Sequence, residues 1–142
     1  MKDSAAIEFK NVTKTFGKVV ANSNVSFSIK NGEIMSLLGE NGSGKTSLMN
    51  MLAGIYYPDS GSICVNGEEV SIRSPQDAFR LGIGMIHQHF KLIDVFTAAE
   101  NTILGLNEKG GFNLAKAADG IKEICDKYGF EIDPYQKVYD MT

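Results

Sequence analysis

The sequence has no apolar run of the roughly 18 to 20 residues that a membrane-spanning helix needs. It has no cluster of lysine and arginine either, and its net charge is −3, so its charge pattern does not favour a nucleic-acid partner. Residues 1–4 lead into an alternating segment rather than into the apolar core of a signal peptide. These absences predict a cytosolic protein, or one held at a membrane by another subunit.

Cysteine and histidine are also scarce, with two residues of each. Cys64 lies in a strand-like segment and Cys125 in a helix-like one, which favours two reduced packing residues over a disulfide or metal site. His87 and His89 face the same way on an extended chain. Two ligands without a third are weak grounds for a metal site, so packing or solvent contact is the preferred interpretation.

The 142 residues, of which 43% are hydrophobic, suffice for one domain with a substantial core. Period-two alternation predicts half-buried strands over residues 7–10, 25–30 and 62–65. Asn66-Gly67 then predicts a hairpin. Residues 34–38 are nearly continuously apolar, which predicts a strand buried on both faces, as in a parallel sheet, and residues 83–87 predict another apolar strand.

Helical spacing dominates the last third of the chain. Helices are predicted over residues 45–53, 75–81, 97–106 and 114–128. In the last helix, one face carries Leu114, Ala117, Ala118, Ile121, Ile124, Cys125 and Tyr128. Because strands come first and helices follow, we expect a structural boundary near residues 88–96.

Gly39-Glu40-Asn41-Gly42-Ser43-Gly44-Lys45-Thr46 matches the phosphate-binding pattern G-x-x-x-x-G-K-[ST]. Glycines allow a close backbone approach to phosphate, and the N-terminus of the following helix favours an anion. Lys45 would supply a full positive charge and Thr46 a hydroxyl ligand for Mg²⁺. A chain of this length matches the pattern by chance roughly half a per cent of the time. The alternative, a glycine-rich turn with a solvated lysine, is therefore disfavoured.

From Ile7 to about Thr142 the chain resembles the ATP-binding subunit of ABC transporters. Phe16 is similar in position to the family's adenine-stacking aromatic, although it could simply pack at the end of a strand. Leu52-Ala53-Gly54 and Pro58-Asp59-Ser60-Gly61 are similar to the family's "L-x-G … P-x-x-G" stretch. Gln88 resembles the family's Q-loop glutamine, with a polar surface residue as the alternative.

The resemblance implies which residues serve ATP and Mg²⁺. Lys45 and Gln88 would act in catalysis, and Thr46 and Gln88 would ligate Mg²⁺. Glu40 and Asn41 would shape the loop rather than act in catalysis. The implied ATP-binding residues are Phe16, Gly39, Glu40, Asn41, Gly42, Ser43, Gly44, Lys45, Thr46, Ser47 and Gln88.

The implied fold is an α/β P-loop NTPase with a RecA-like core, an antiparallel β subdomain and the start of an α-helical subdomain. Residues 1–95 would form the ATP-binding core and residues 96–142 a partial helical subdomain. The sequence contains no Leu-Ser-Gly-Gly signature, no apolar strand ending in Asp-Glu and no later histidine, all of which the family uses for hydrolysis. We therefore expect a truncated, N-terminal fragment that binds ATP without turning it over. Its central sheet would be incomplete, so we expect either that neighbours cover the exposed edge of the sheet or that the fragment oligomerises.

Residues 85–90 and Thr97-Ala98-Ala99-Glu100-Asn101 are most similar to importers of simple sugars and nucleosides, with Ala98 in place of a more usual valine. The implied partners are integral-membrane permease subunits and a second ATP-binding domain, at the cytoplasmic face of the membrane. The alternatives are a soluble ABC-fold ATPase of DNA repair or translation and a non-hydrolytic nucleotide-binding module. The stretch at residues 97–101 and the acidic charge balance argue against the DNA-repair or translation alternative.

Overall fold

The computed structural model describes residues 5–87, 91–104 and 113–141. The chain divides into two compact units, Met1–Met85 and Ile86–Thr142. The functional division into an ATP-binding core over residues 1–95 and a partial helical subdomain over residues 96–142 remains a prediction. Within the described ranges, no helix is long and apolar enough to cross a bilayer.

The first unit contains an antiparallel sheet, in the order β2-β1-β3-β4. Its strands are β1 (Ala5–Phe16), β2 (Val19–Lys30), β3 (Ser60–Val65) and β4 (Glu68–Val70). The predicted strands at residues 7–10, 25–30 and 62–65 are confirmed, and all three are longer than predicted. The predicted hairpin is confirmed as well: Asn66 and Gly67 have φ values of 53° and 86°, as a type I′ turn requires.

The core of this unit lies between the sheet and two helices, α1 (Lys45–Leu52) and α2 (Pro75–Arg80). Both helices were predicted, within one residue of their observed ends. Ser74 caps α2, since its hydroxyl accepts a hydrogen bond from the backbone N–H of Asp77 at 3.2 Å. The buried core residues are Phe9, Val12, Leu48, Met51, Ile63, Ile72 and Ala78.

The second unit contains α3 (Ala98–Ile103), α4 (Leu114–Tyr128) and a 3₁₀ turn at Val138–Asp140. A capping box starts α3: Thr97 accepts from the N–H of Glu100, and the Glu100 carboxylate accepts from the N–H of Thr97 at 2.7 Å. The predicted end of this helix at residue 106 is wrong. Leu104 already has extended backbone angles and ends α3, and residues 105–112 lie outside the described ranges.

The predicted bounds of α4 are confirmed, but its apolar face is only partly buried. Ala118 and Cys125 are buried, whereas Ile124 and Tyr128 are 55% and 61% exposed. Spacing therefore identified the helix correctly, and burial of its apolar face depends on what packs against it. Cys64 on β3 and Cys125 on α4 are both free and buried.

The predicted buried strand at residues 34–38 and the predicted apolar strand at residues 83–87 are not among the strands of this structure. Neither segment is hydrogen-bonded as a strand of a sheet in the described ranges, and Ile34, Leu38 and Ile86 are 96%, 89% and 87% exposed. An apolar run favours burial, but a strand also needs a hydrogen-bonded neighbour. The four strands of the described sheet pair with one another, and neither segment pairs with a strand in the described ranges.

A candidate phosphate and nucleotide site

Residues 39–44 form a loop, called the phosphate loop below, that runs directly into α1. The side chain of Lys45 folds back into this loop. Its ammonium nitrogen Nζ donates hydrogen bonds to the carbonyl oxygens of Gly39 at 2.8 Å and Glu40 at 2.7 Å. The hydroxyl oxygen of Ser43 lies 3.3 Å from the same nitrogen. The loop therefore holds a positive charge at the start of α1, beside the helix end that favours an anion.

Gly44 joins the loop to α1 in a conformation that requires glycine. Its φ is 87°, and a Cβ atom there would lie 2.2 Å from the carbonyl oxygen of Ala21 on β2. As the N-cap residue, it has no side chain to accept from the first-turn N–H groups of α1, and that turn has no acidic residue. The positive end of the helix is consequently unopposed by local negative charge, which fits a bound phosphate.

Thr46 stands in the first turn of α1 with an exposed side chain, where its hydroxyl fits the role of a hard oxygen ligand. Within residues 5–87, 91–104 and 113–141, no group of three or more His, Cys, Asp or Glu residues could hold a metal ion. The single Thr46 hydroxyl fits Mg²⁺ held largely by phosphate oxygens, because Mg²⁺ commonly takes only one or two protein ligands beside a nucleotide.

The other predicted ATP-binding residues between positions 39 and 47 lie in this loop and in the first turn of α1. Glu40, Asn41, Gly42 and Ser43 are exposed, whereas Gly44, Lys45 and Ser47 are half-buried. Gln88 and His89 lie outside the described residues, so the catalytic and metal-binding role of Gln88 stays a prediction.

Phe16 ends β1 with 41% of its surface exposed. Its ring and that of Tyr56 pack in a T-shaped arrangement, with centroids 4.9 Å apart and an interplanar angle of 69°. The ammonium of Lys14 lies 5.5 Å from the centre of the Phe16 ring. Phe16 therefore sits in a small group of surface side chains rather than in the apolar core, and it retains exposed ring surface for a ligand.

Asp59 holds the end of β1 just before Phe16. Its carboxylate accepts hydrogen bonds from the Lys14 ammonium at 2.8 Å and from both the backbone N–H and the hydroxyl of Thr15 at 2.7 Å. The bond from Lys14, followed by those from Thr15, lowers the pKa of Asp59 to about 2. The sequence motif contained Asp59 without suggesting this role. We refer to Lys14, Phe16, Tyr56 and Asp59 together as the aromatic platform.

Sequence reasoning missed Asn22, which touches the phosphate loop from β2. Asn22 is 7% exposed, and its side-chain nitrogen Nδ2 donates to the carbonyl oxygen of Gly44 at 3.2 Å. In a regular strand, Asn22 and Val25 would lie on opposite faces of the sheet, because they are three positions apart. Between these two residues β2 carries one extra residue relative to β1, because Val12 pairs with Val25 and Lys14 with Asn22. This bulge reverses the alternation and turns Asn22 inward.

Comparison with known proteins agrees with this geometry. The profile described as "ABC transporter" matches residues 22–142. The guanosine import ATP-binding protein NupO of Bacillus subtilis (strain 168) is 49% identical over 138 residues, which cover 96% of this chain and 27% of that protein. The nucleoside import ATP-binding protein NupA of Lactococcus lactis subsp. cremoris (strain MG1363) is 44% identical over 144 residues, which cover 100% of this chain and 28% of that protein.

The fold has a counterpart among solved structures. A dimeric ATP-binding cassette in a post-hydrolysis state, bound to ADP and Pi, matches with a TM-score of 0.73 and 26% identity, over 96% of this chain and 63% of that one. This likeness confirms the predicted fold class, a P-loop NTPase fold that includes an antiparallel β part. The chain spans little more than a quarter of the length of the two curated relatives, which are 27% and 28% covered.

Proposed function

The chain belongs to the ABC transporter family, and we propose that it supplies the ATP-binding part of an importer that couples ATP binding and hydrolysis to uptake of a small solute. The observation that carries this proposal is the loop at residues 39–44, which curves around the Lys45 ammonium at the uncapped N-terminus of α1. A loop with this charge and this open helix end suits the polyphosphate of a nucleotide.

Each part of the site has a distinct task in this proposal. Lys45 and the first-turn N–H groups of α1 neutralise phosphate charge, and the Thr46 hydroxyl ligates Mg²⁺ together with Gln88. Phe16 offers a ring face to the adenine base. Phosphoryl transfer depends mainly on positioning and charge neutralisation, so we assign Lys45 to charge neutralisation and Gln88 to alignment of the attacking water.

The transported solute is proposed from the relatives named above. One is named for guanosine import and the other for nucleoside import, so we propose a nucleoside as the solute, with a simple sugar as the neighbouring class. Integral-membrane permease subunits would carry the solute, and a second ATP-binding domain would close over the nucleotide. The protein would act at the cytoplasmic face of the membrane as a peripheral subunit.

Calorimetric titration of the purified 142-residue chain tests the nucleotide site. We expect Mg-ATP and Mg-ADP to bind, and AMP and adenosine to bind at least tenfold more weakly, because they lack the phosphates that face Lys45. Chelation of Mg²⁺ with EDTA should weaken ATP binding. Equal affinity for AMP and ADP would contradict a site built around the β- and γ-phosphates.

A further inference from the structure

We propose that Asn22 is a positioning residue for phosphate binding, which acts by holding the peptide group between Gly44 and Lys45. The inference rests on the proposed nucleotide site and adds to it a residue outside the phosphate-loop motif. Asn22 lies on β2, more than twenty positions before Gly44 in the sequence, and its Nδ2 atom donates to the Gly44 carbonyl oxygen at 3.2 Å.

The Gly44 carbonyl oxygen accepts two hydrogen bonds, one from Nδ2 of Asn22 and one from the backbone N–H of Leu48 at 2.9 Å. The bond from Leu48 belongs to the first turn of α1 and would form in any helix. The bond from Asn22 is additional, and it ties this helix end to the sheet.

The orientation of this carbonyl determines where the next N–H group points. The carbonyl of Gly44 and the N–H of Lys45 belong to one planar trans peptide, so they point in opposite directions. Asn22 holds the Gly44 carbonyl towards β2. The N–H of Lys45 therefore points away from β2, to the side where an anion at the N-terminus of α1 would lie. Ala21, the preceding residue on β2, excludes any Cβ atom at Gly44. Two consecutive residues of β2 thus define the conformation at the start of α1.

The cost of this arrangement supports a functional role. The other polar atom of the Asn22 side chain, Oδ1, is buried and has no hydrogen-bond partner in the described part of the chain. A buried carbonyl oxygen without a partner destabilises a fold, and an apolar side chain of similar size would avoid that penalty. Stability alone would therefore favour leucine at this position. The amide side chain of Asn22 is explained if its contribution is to orient the phosphate loop.

Asn22→Leu separates positioning from stability. We expect its melting temperature to equal or exceed that of the parent, while its affinity for Mg-ADP falls about five- to tenfold through loss of one oriented hydrogen bond. Asn22→Asp, of nearly the same shape, directs a carboxylate oxygen at the Gly44 carbonyl and should also bind Mg-ADP more weakly. Ser28→Leu makes the same polar-to-leucine change at an exposed site on β2 and should leave both quantities unchanged.

A ligand-free readout distinguishes failure of this inference from failure of the proposed function. In ¹⁵N-correlated NMR spectra of the nucleotide-free chain, Asn22→Leu should shift the backbone amides of Gly44 and Lys45 and leave those of β4 in place. If these amides do not move, or if the variant binds Mg-ADP as tightly as the parent, the positioning role is overturned. A parallel fall in melting temperature and affinity would also overturn it, in favour of a structural role. If the parent itself binds no nucleotide, the proposed function fails, and the NMR result still decides whether Asn22 orients this peptide.

Discussion

The phosphate loop and the aromatic platform are two parts of one proposed site, and they are stabilised over different distances along the chain. Lys45 bonds to Gly39 and Glu40, six and five positions away. In the platform, the bond between Lys14 and Asp59 spans 45 positions. The hydrogen bonds of Lys45 form within the loop itself, with Asn22 as a distant support at Gly44, whereas the platform exists only after the strands have paired. We therefore expect changes in the loop to affect phosphate binding alone, and changes in the platform to affect base binding and stability together.

The largest effect should follow from Lys45→Ala. This change removes the charged group inside the loop, so affinity for Mg-ATP and Mg-ADP should fall at least tenfold, as loss of a charge-assisted hydrogen bond predicts. The melting temperature should change little, because within the described residues Lys45 donates only to its own loop. Lys30→Ala, at an exposed lysine of β2, is the matched control for loss of one positive charge. Nucleotide affinity unchanged in Lys45→Ala would exclude residues 39–46 as the phosphate site.

A smaller, base-dependent effect is expected from Phe16→Ala. Loss of a stacked ring costs on the order of 1 kcal/mol, so ATP affinity should fall several-fold, while Phe16→Tyr and Phe16→Trp should retain binding. GTP should compete only modestly less well than ATP, because stacking tolerates different ring systems. Inorganic triphosphate serves as the base-free control, and its affinity should not change.

The same variant also tests the comparison between loop and platform. If Phe16 only packs against Tyr56, then Phe16→Ala will lower the melting temperature of the nucleotide-free chain. The ATP affinity of the folded fraction will then equal that of the parent. That pattern would place the adenine contact elsewhere.

The smallest effect concerns Asp59, whose pKa is lowered from an ordinary 3.8 to about 2 by the bonds from Lys14 and Thr15. A carboxyl group with a lowered pKa in the folded state stabilises the fold at pH values above its unfolded pKa. This contribution should be lost as the pH falls from about 4 towards 2. Asp59→Asn should thus be less stable than the parent at pH 6, and the gap should narrow below pH 4.

Urea unfolding at a series of pH values measures this gap. Asp126→Asn, at an exposed position of α4, is the control and should follow the parent at every pH. A constant gap between Asp59→Asn and the parent from pH 6 to pH 2.5 would show that the charge of Asp59 does not hold the platform. If there is no gap at any pH, the Thr15 bonds, which an asparagine oxygen can still accept, are sufficient.

Features that depend on neighbouring residues in the sequence were predictable. Asn66-Gly67 marks its turn because both residues tolerate positive φ, and Thr97 with Glu100 marks the start of α3 by reciprocal capping bonds. The phosphate loop belongs to the same class, since its glycines and Lys45 lie within eight consecutive positions. Each of these signals involves residues that meet as soon as the local backbone turns.

Features that depend on a neighbour far along the chain were not predictable in the same way. Residues 34–38 have the composition of a buried strand, yet no strand of the described sheet pairs with them, and burial depends on that pairing. Asn22 faces inward because a bulge on β2 reverses its alternation, and only the register against β1 reveals the bulge. The sequence by itself determined the chemistry of the phosphate loop and the local turns. The tertiary structure decided which polar side chain supports the loop and which apolar residues are buried, because strand register and side-chain burial arise only when distant segments pack.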